Sequence, residues 1–210
     1  MMRRLFVPGW GAPAALYARG LAPRWDVLDP PRFGEARGQL GHYLDWLMAE
    51  VDSADSGVVL GGHSMGGALA VLAAIRRPEQ VKRIVLLAPA GLPLAKPIGR
   101  SLADFGVQMA LGRYPRREAA RAVAAVGIAP RSALRLAREV RALDLRLQLE
   151  RLRELEIPCS VVGCATDTLT PPALCRRIAR LGGGRYRELD VPGGHMWMAG
   201  APGLLARVVQ

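Results

Sequence analysis

Three side chains in this sequence have the types that covalent acyl chemistry requires. Ser64 can serve as a nucleophile, His195 as the base that takes its proton, and Asp167 as the group that orients the imidazole and stabilises it once charged. Ser64 sits at the centre of Leu60-Gly61-Gly62-His63-Ser64-Met65-Gly66-Gly67. A serine carried on a sharp strand-to-helix turn has its hydroxyl pushed out above the sheet edge, and side chains two positions either side would strike the turning backbone, hence Gly62 and Gly66. Gly67 lets the next helix start close to the strand. The Met65 N–H then points to where a carbonyl oxygen gains negative charge, with the positive end of the helix dipole behind it. In a chain with 24 glycines a Gly-x-Ser-x-Gly can arise by accident, so the flanks and partners must carry the argument.

The flanks supply strand, turn and helix: Gly57-Val58-Val59-Leu60 suits a buried strand, and Ala68 to Ile75 a helix packed on it. Upstream, Leu5-Phe6-Val7 reads as a short strand ending at Pro8-Gly9-Trp10-Gly11, followed by a helical turn over 14–19. Trp25 to Asp29 reads as a second strand closed by Pro30-Pro31, and Glu35 to Val51 as a helix with Leu40, Leu44, Leu47 and Val51 on one face. Val81 to Leu87 is continuous in apolar residues, as a strand covered on both faces should be. This alternation predicts a parallel sheet clad in helices.

Between Ala88 and Pro158 no strand-like run occurs. The segments 102–111, 117–126 and 131–155 carry apolar residues at helical spacing with arginines between them, and Pro115 and Pro130 are expected to end helices. Alternation resumes with a strand at Cys159 to Gly163, a helix at Ala173 to Leu181 closed by three glycines, a strand at Tyr186 to Val191 and a short helix at Leu204 to Val209. The domain reading is a core of 1–91 and 157–210 with a helical cap inserted at 92–156. Chemistry in a parallel sheet sits past the C-terminal strand ends, which puts Ser64, Asp167 and His195 on one rim in the order serine, acid, histidine.

Through Gly62-His63-Ser64-Met65-Gly66-Gly67, Gly163-x-x-x-Asp167-x-Leu169-x-Pro171 and Gly193-Gly194-His195, the chain resembles the α/β-hydrolase superfamily over nearly its whole length. Asp144-Leu145-Arg146 followed by Ile157-Pro158 is similar to the family's approach to its acid-bearing strand. Gly9-Trp10-Gly11 resembles the carboxylesterases that remove a methyl ester from a carrier-protein-bound acyl chain. The resemblance implies an α/β-hydrolase fold with a mostly parallel sheet of about six strands and a small helical cap. It also implies a serine hydrolase of a carboxylic ester or thioester, needing no cofactor or metal, with Met65 and Trp10 N–H groups forming the oxyanion hole. Trp197 and Met198, beside His195, are candidates to line the acyl pocket, core packing being the alternative.

Two departures from the family pattern stand out. Pro8 occupies a position where the family often has histidine, which removes a backbone donor and a supporting side chain. The chain also begins with what resembles the family's third strand. Pro8 keeps open a non-catalytic binding protein on the same fold, and the same triad could also serve a lyase, an acyltransferase or a carbon–carbon hydrolase.

Other residues are weighed more briefly. His63 is expected to support or pack rather than react, and His42 to lie on a helix surface. Asp190 is a weaker candidate acid, while Phe105, Met109 and Leu111 are core or cap-lining residues. The net charge of +11 is nearly all arginine, Lys82 and Lys96 being the lysines. It reads as a solvated basic surface or as a cap that docks an acidic carrier protein or coenzyme A; nothing points to nucleic acid. Cys159, Cys164 and Cys175, odd in number and without metal-type spacing, point to reduced thiols and a cytoplasmic protein. The apolar run after Arg3-Arg4 is too short for a signal peptide, and no stretch is long enough to span a membrane.

Overall fold

The computed structural model describes residues 2–94, 96–111 and 114–210, the side chain of Leu111 excepted. Six strands form one sheet in the order β2-β1-β3-β4-β5-β6, every pairing parallel. They are β1 (Arg3–Val7), β2 (Asp26–Val27), β3 (Val58–His63), β4 (Val81–Leu87), β5 (Cys159–Cys164) and β6 (Arg185–Leu189). The helices are α1 (Ala14–Leu21), α2 (Leu40–Asp52), α3 (Met65–Arg76), α4 (Ile98–Leu111), α5 (Arg116–Ile128), α6 (Pro130–Ala142), α7 (Arg146–Glu154), α8 (Pro172–Leu181), α9 (Trp197–Gly200) and α10 (Pro202–Val208). No described helix is long and apolar enough to cross a membrane.

The two-residue period of the strands divides the core in two. Leu5, Val7, Leu60, Ile84, Leu86 and Val161 face a cluster built with α2, α3, α7 and α8. Their alternates Phe6, Val85, Leu87 and Val162 face a second cluster with α1, α9 and α10. Helix α3 carries small residues where it meets the sheet, so it packs closely, and every residue from Met65 to Val71 is buried. Truncating one of the fully buried large side chains, such as Phe6, would cost about 3–5 kcal/mol.

The helical segment breaks at Pro115 and Pro130 as expected, α5 ending at Ile128, and each proline also opens the next helix, as N-cap of α5 and first residue of α6, where a missing N–H costs nothing. Other local expectations are revised by the structure. The segment read as one helix over 131–155 is two, because Leu145 turns inward and gives its N–H to the Gly91 carbonyl at 2.7 Å. Helix α2 starts at Leu40 rather than Glu35, since Arg37 and Gly38 have positive φ. Only Asp26 and Val27 of the second expected strand pair with β1.

Candidate functional site

The register aligns the strand ends, Val7 beside Gly62, Gly62 beside Leu86, and Cys164 beside Leu189, so the loops that follow converge on one rim. Ser64 joins β3 to α3 with φ 53° and ψ −116°, a conformation costing on the order of 1–3 kcal/mol for a non-glycine residue. The turn is pinned. Ser64 N–H donates to the Leu87 carbonyl at 3.0 Å, and the Ser64 carbonyl accepts from Gly67, Ala68 and Ala90. A Cβ on Gly62 would overlap the Gly66 carbonyl, and one on Gly66 the Val7 carbonyl.

Asp167 and His195 are buried together, with His195 Nδ1 donating to Asp167 Oδ2 at 2.8 Å. The other carboxylate oxygen, Oδ1, accepts from the N–H groups of Leu169 at 2.8 Å and Thr170 at 2.9 Å, and Thr170 Oγ1 donates to Oδ2 at 2.8 Å. Burial pushes the Asp167 carboxyl up, but the His195 ring and the Thr170 hydrogen bonds outweigh it and hold the carboxyl below its ordinary value. The carboxylate keeps the proton on Nδ1, which leaves Nε2 of His195 with its lone pair free to act as a base. Thr170 Oγ1, 3.1 Å from His195 Nδ1 and 3.2 Å from the Ala88 carbonyl, closes this cluster.

Ser64 and His195 line one cavity of about 80 Å3, several times the space one water needs and bounded mostly by apolar side chains. No hydrogen bond joins Ser64 Oγ to the imidazole among the described residues, a contact that unliganded hydrolytic sites often tighten only around substrate. The Gly9–Ala12 loop separates this cavity from an outer groove of about 710 Å3. Neither the Met65 nor the Trp10 N–H meets an acceptor among the described residues.

Contacts from α4 and α6 hold His195 and Trp10 in place. Gln108 of α4 accepts the His195 backbone N–H at 2.7 Å, and a Cβ on Gly194 would overlap the Gln108 side chain. The Trp10 indole donates to the Ala133 carbonyl of α6 at 3.0 Å and packs on Phe33 and Phe105.

His63 has a supporting position. Its ring lies 4.6 Å from that of His195, its Nε2 is 3.1 Å from the His195 carbonyl and its Nδ1 is 2.7 Å from Tyr17 Oη. Burial first, and the neighbouring His195 second, push the His63 imidazole well below its ordinary value, so it is neutral. Neutral His63 must then donate from Nε2 to the carbonyl and accept at Nδ1 from Tyr17, whose oxygen accepts the Gly9 N–H at 3.3 Å. Tyr17 thus steadies the loop in which Pro8 replaces the family's usual residue.

A stability consequence follows from the buried neutral ring. As pH falls below about 6.5 the unfolded chain protonates His63 while the folded one does not, so unfolding binds a proton and stability drops. The expected contribution is up to about 1.4 kcal/mol per pH unit. Urea unfolding between about pH 6.5 and 5 should show a steeper loss for the wild type than for His63→Gln; equal slopes would refute it.

Trp197 and Met198 are fully buried in the second core cluster, and neither lines the Ser64 cavity; their neighbour Met196 does. The 3-10 turn Gly194–Met196 rotates the next two side chains toward the sheet. Phe105 lines the cavity, and Met109 packs on the second cluster. The Leu111 side chain lies outside the described residues. Asp190 and His42 are exposed. Sequence reasoning missed Thr170, Gln108, Tyr17 and Arg141, the last a charged side chain lining the cavity. Only Thr170, three residues from Asp167 in a tight turn, carried a local signal.

Solved structures share this architecture. Est816, described as an N-acyl homoserine lactone degrading enzyme, superposes with a TM-score of 0.76 at 18% identity, covering 100% of this chain and 92% of that one. The enol-lactonase from Burkholderia xenovorans LB400 gives 0.76 at 19%, covering 100% and 90%. A thermophilic esterase from Thermogutta terrifontis gives 0.72 at 17%, covering 100% and 88%. No curated protein matches the sequence. The family model described as the alpha/beta hydrolase family matches residues 5–208, and the chain belongs to that family.

Proposed function

We propose that this protein is a serine hydrolase that cleaves a carboxylic ester or thioester through an acyl-enzyme. The observation that carries the reading is the buried His195–Asp167 pair opening onto the same cavity as Ser64, itself held on a strained turn. Ser64 Oγ attacks the acyl carbon and passes its proton to His195 Nε2, while Asp167 stabilises the resulting imidazolium. The tetrahedral oxygen takes hydrogen bonds from the Met65 and Trp10 N–H groups and faces the N-terminus of α3. Collapse expels the alcohol or thiol, which takes the proton from His195. Water, deprotonated by the same nitrogen, then releases the acid and restores the serine.

Helices α4 to α6 serve as the cap in this reading, with Leu102 and Phe105 of α4 and Val140 of α6 on the cavity wall. Helix α7 packs instead with α3 and α8. The esterase, the enol-lactonase and the N-acyl homoserine lactone degrading enzyme with the same fold support acyl-bond hydrolysis as the reaction class. The unpaired, buried cysteines support a cytoplasmic setting. A carrier protein or coenzyme A as handle on the acyl group draws its support from the arginine-rich insertion. That support is reduced by ion pairs of Arg100, Arg121, Arg135, Arg146 and Arg151 with nearby acids.

The test is labelling with a fluorophosphonate probe, followed by peptide mapping, alongside hydrolysis of 4-nitrophenyl esters from acetyl to decanoyl. Stoichiometric label on Ser64 and a preference for short acyl chains are expected, given the small cavity. Well-folded protein that takes no label at Ser64 would overturn the reading in favour of a binding role, and product analysis separates hydrolysis from acyl transfer.

A further inference from the structure

We propose that Arg141 determines the specificity of the Ser64 cavity and that the acyl group it selects ends in a free carboxylate, as in a half-ester or half-thioester of a short dicarboxylic acid. This rests on the serine-hydrolase reading above and names its substrate class. The cavity is walled by Leu92, Leu94, Leu102, Phe105 and Val140, and no acidic side chain lines it among the described residues. Arg141 lines it too, half-buried near the end of α6.

An arginine in the last turn of a helix is ordinary on dipole grounds. What the dipole does not explain is where its donors are directed. Nε donates to Ser101 Oγ at 3.0 Å and Nη2 to the Leu94 carbonyl at 3.4 Å, and the buried Ser101 hydroxyl is in turn held near the Pro97 carbonyl at 3.4 Å. These bonds fix the guanidinium plane from one side. Nη1 meets no acceptor among the described residues, and Arg141 forms no ion pair with any described Asp or Glu, unlike the surface arginines of the same region.

A half-buried charge that lines an apolar cavity, with Nη1 unpaired among the described residues, has a donor left for an anion bound there. The guanidinium presents a planar fork, which matches a carboxylate, and a cavity of about 80 Å3 favours a small planar anion over a bulkier phosphorylated group. Ser64 and Arg141 line the same cavity, so the carboxylate is assigned to the acyl half that this cavity must hold.

The experiment compares mono-4-nitrophenyl glutarate with 4-nitrophenyl valerate, near-equal in length and differing in the terminal charge. Wild type should favour the glutarate ester in kcat/KM by about tenfold or more. Arg141→Met should lower that ratio by roughly ten- to a hundredfold, with partial recovery in Arg141→Lys, which restores the charge without the fork. A wild type that prefers the valerate ester, or an Arg141→Met enzyme in which both rates fall together at constant ratio, would overturn the proposal and leave Arg141 as a tie between α6 and the 94 loop. If neither ester is cleaved, the hydrolase reading is at fault and binding decides separately. Calorimetry of monomethyl glutarate with Ser64→Ala and with Ser64→Ala carrying Arg141→Met should then show at least a tenfold weaker Kd in the double variant, and equal affinities would refute the carboxylate site.

Discussion

Ser64→Ala will lower kcat toward the best 4-nitrophenyl ester by about a millionfold while leaving the protein folded. The size of the loss reflects the way the three residues act as a unit, since without the hydroxyl the base and its carboxylate have nothing to activate. The fold should tolerate the change because Ser64 Oγ makes no hydrogen bond among the described residues, and the turn is held by the Ser64 backbone. A residual rate of about 10³ to 10⁴ over water should survive, supplied by binding and the oxyanion donors. Circular dichroism and a denaturation midpoint matching the wild type are the necessary controls. A loss smaller than about a hundredfold would mean that another group attacks the substrate.

Asp167→Asn is expected to cost about ten thousandfold in kcat, and the hydrogen bonds around the carboxylate explain why. Oδ1 receives two backbone N–H groups, from Leu169 and Thr170, so the amide oxygen of an asparagine must take that position. Its NH2 then occupies the place of Oδ2 and faces His195 Nδ1, which can no longer carry a proton. The proton moves to Nε2, where a base is needed. Nitrogen-15 NMR of the histidine rings reads the tautomer directly, and kinetics at neutral pH reads its cost. A normal Nδ1–H tautomer in the variant, or a loss below about tenfold, would show that Asp167 does not orient His195.

The strands and the rim were legible in the sequence because they depend on local pattern. Val81 to Leu87 is apolar throughout since both faces are covered, and Ser64 announces its turn through Gly62 and Gly66, positions where the chain has no room for a Cβ. Asp167 and His195 could be sought because each follows a strand end on the same side of the sheet. What escaped were contacts between residues remote in sequence. Nothing near Gln108 signals that its amide will meet the His195 backbone, and Arg141 looks like any other arginine on a basic helix until the cavity beside it is seen. Pro115 and Pro130 marked the helix breaks correctly, since proline suits both the stop of one helix and the first turn of the next.

The hydrogen bonds from the His195 backbone to α4 and from the Trp10 indole to α6 bear on how this protein can be re-engineered or can diverge. A lid that merely shields its substrate is an exchangeable part: graft another and selectivity changes while turnover persists. Here α4 and α6 are splints for His195 on one side and for Trp10 on the other, the proposed base and oxyanion donor. A transplanted cap lacking both Gln108 and an acceptor for Trp10 would loosen both, so on the proposed roles breadth of substrate and speed of reaction are tied to the same stretch of chain.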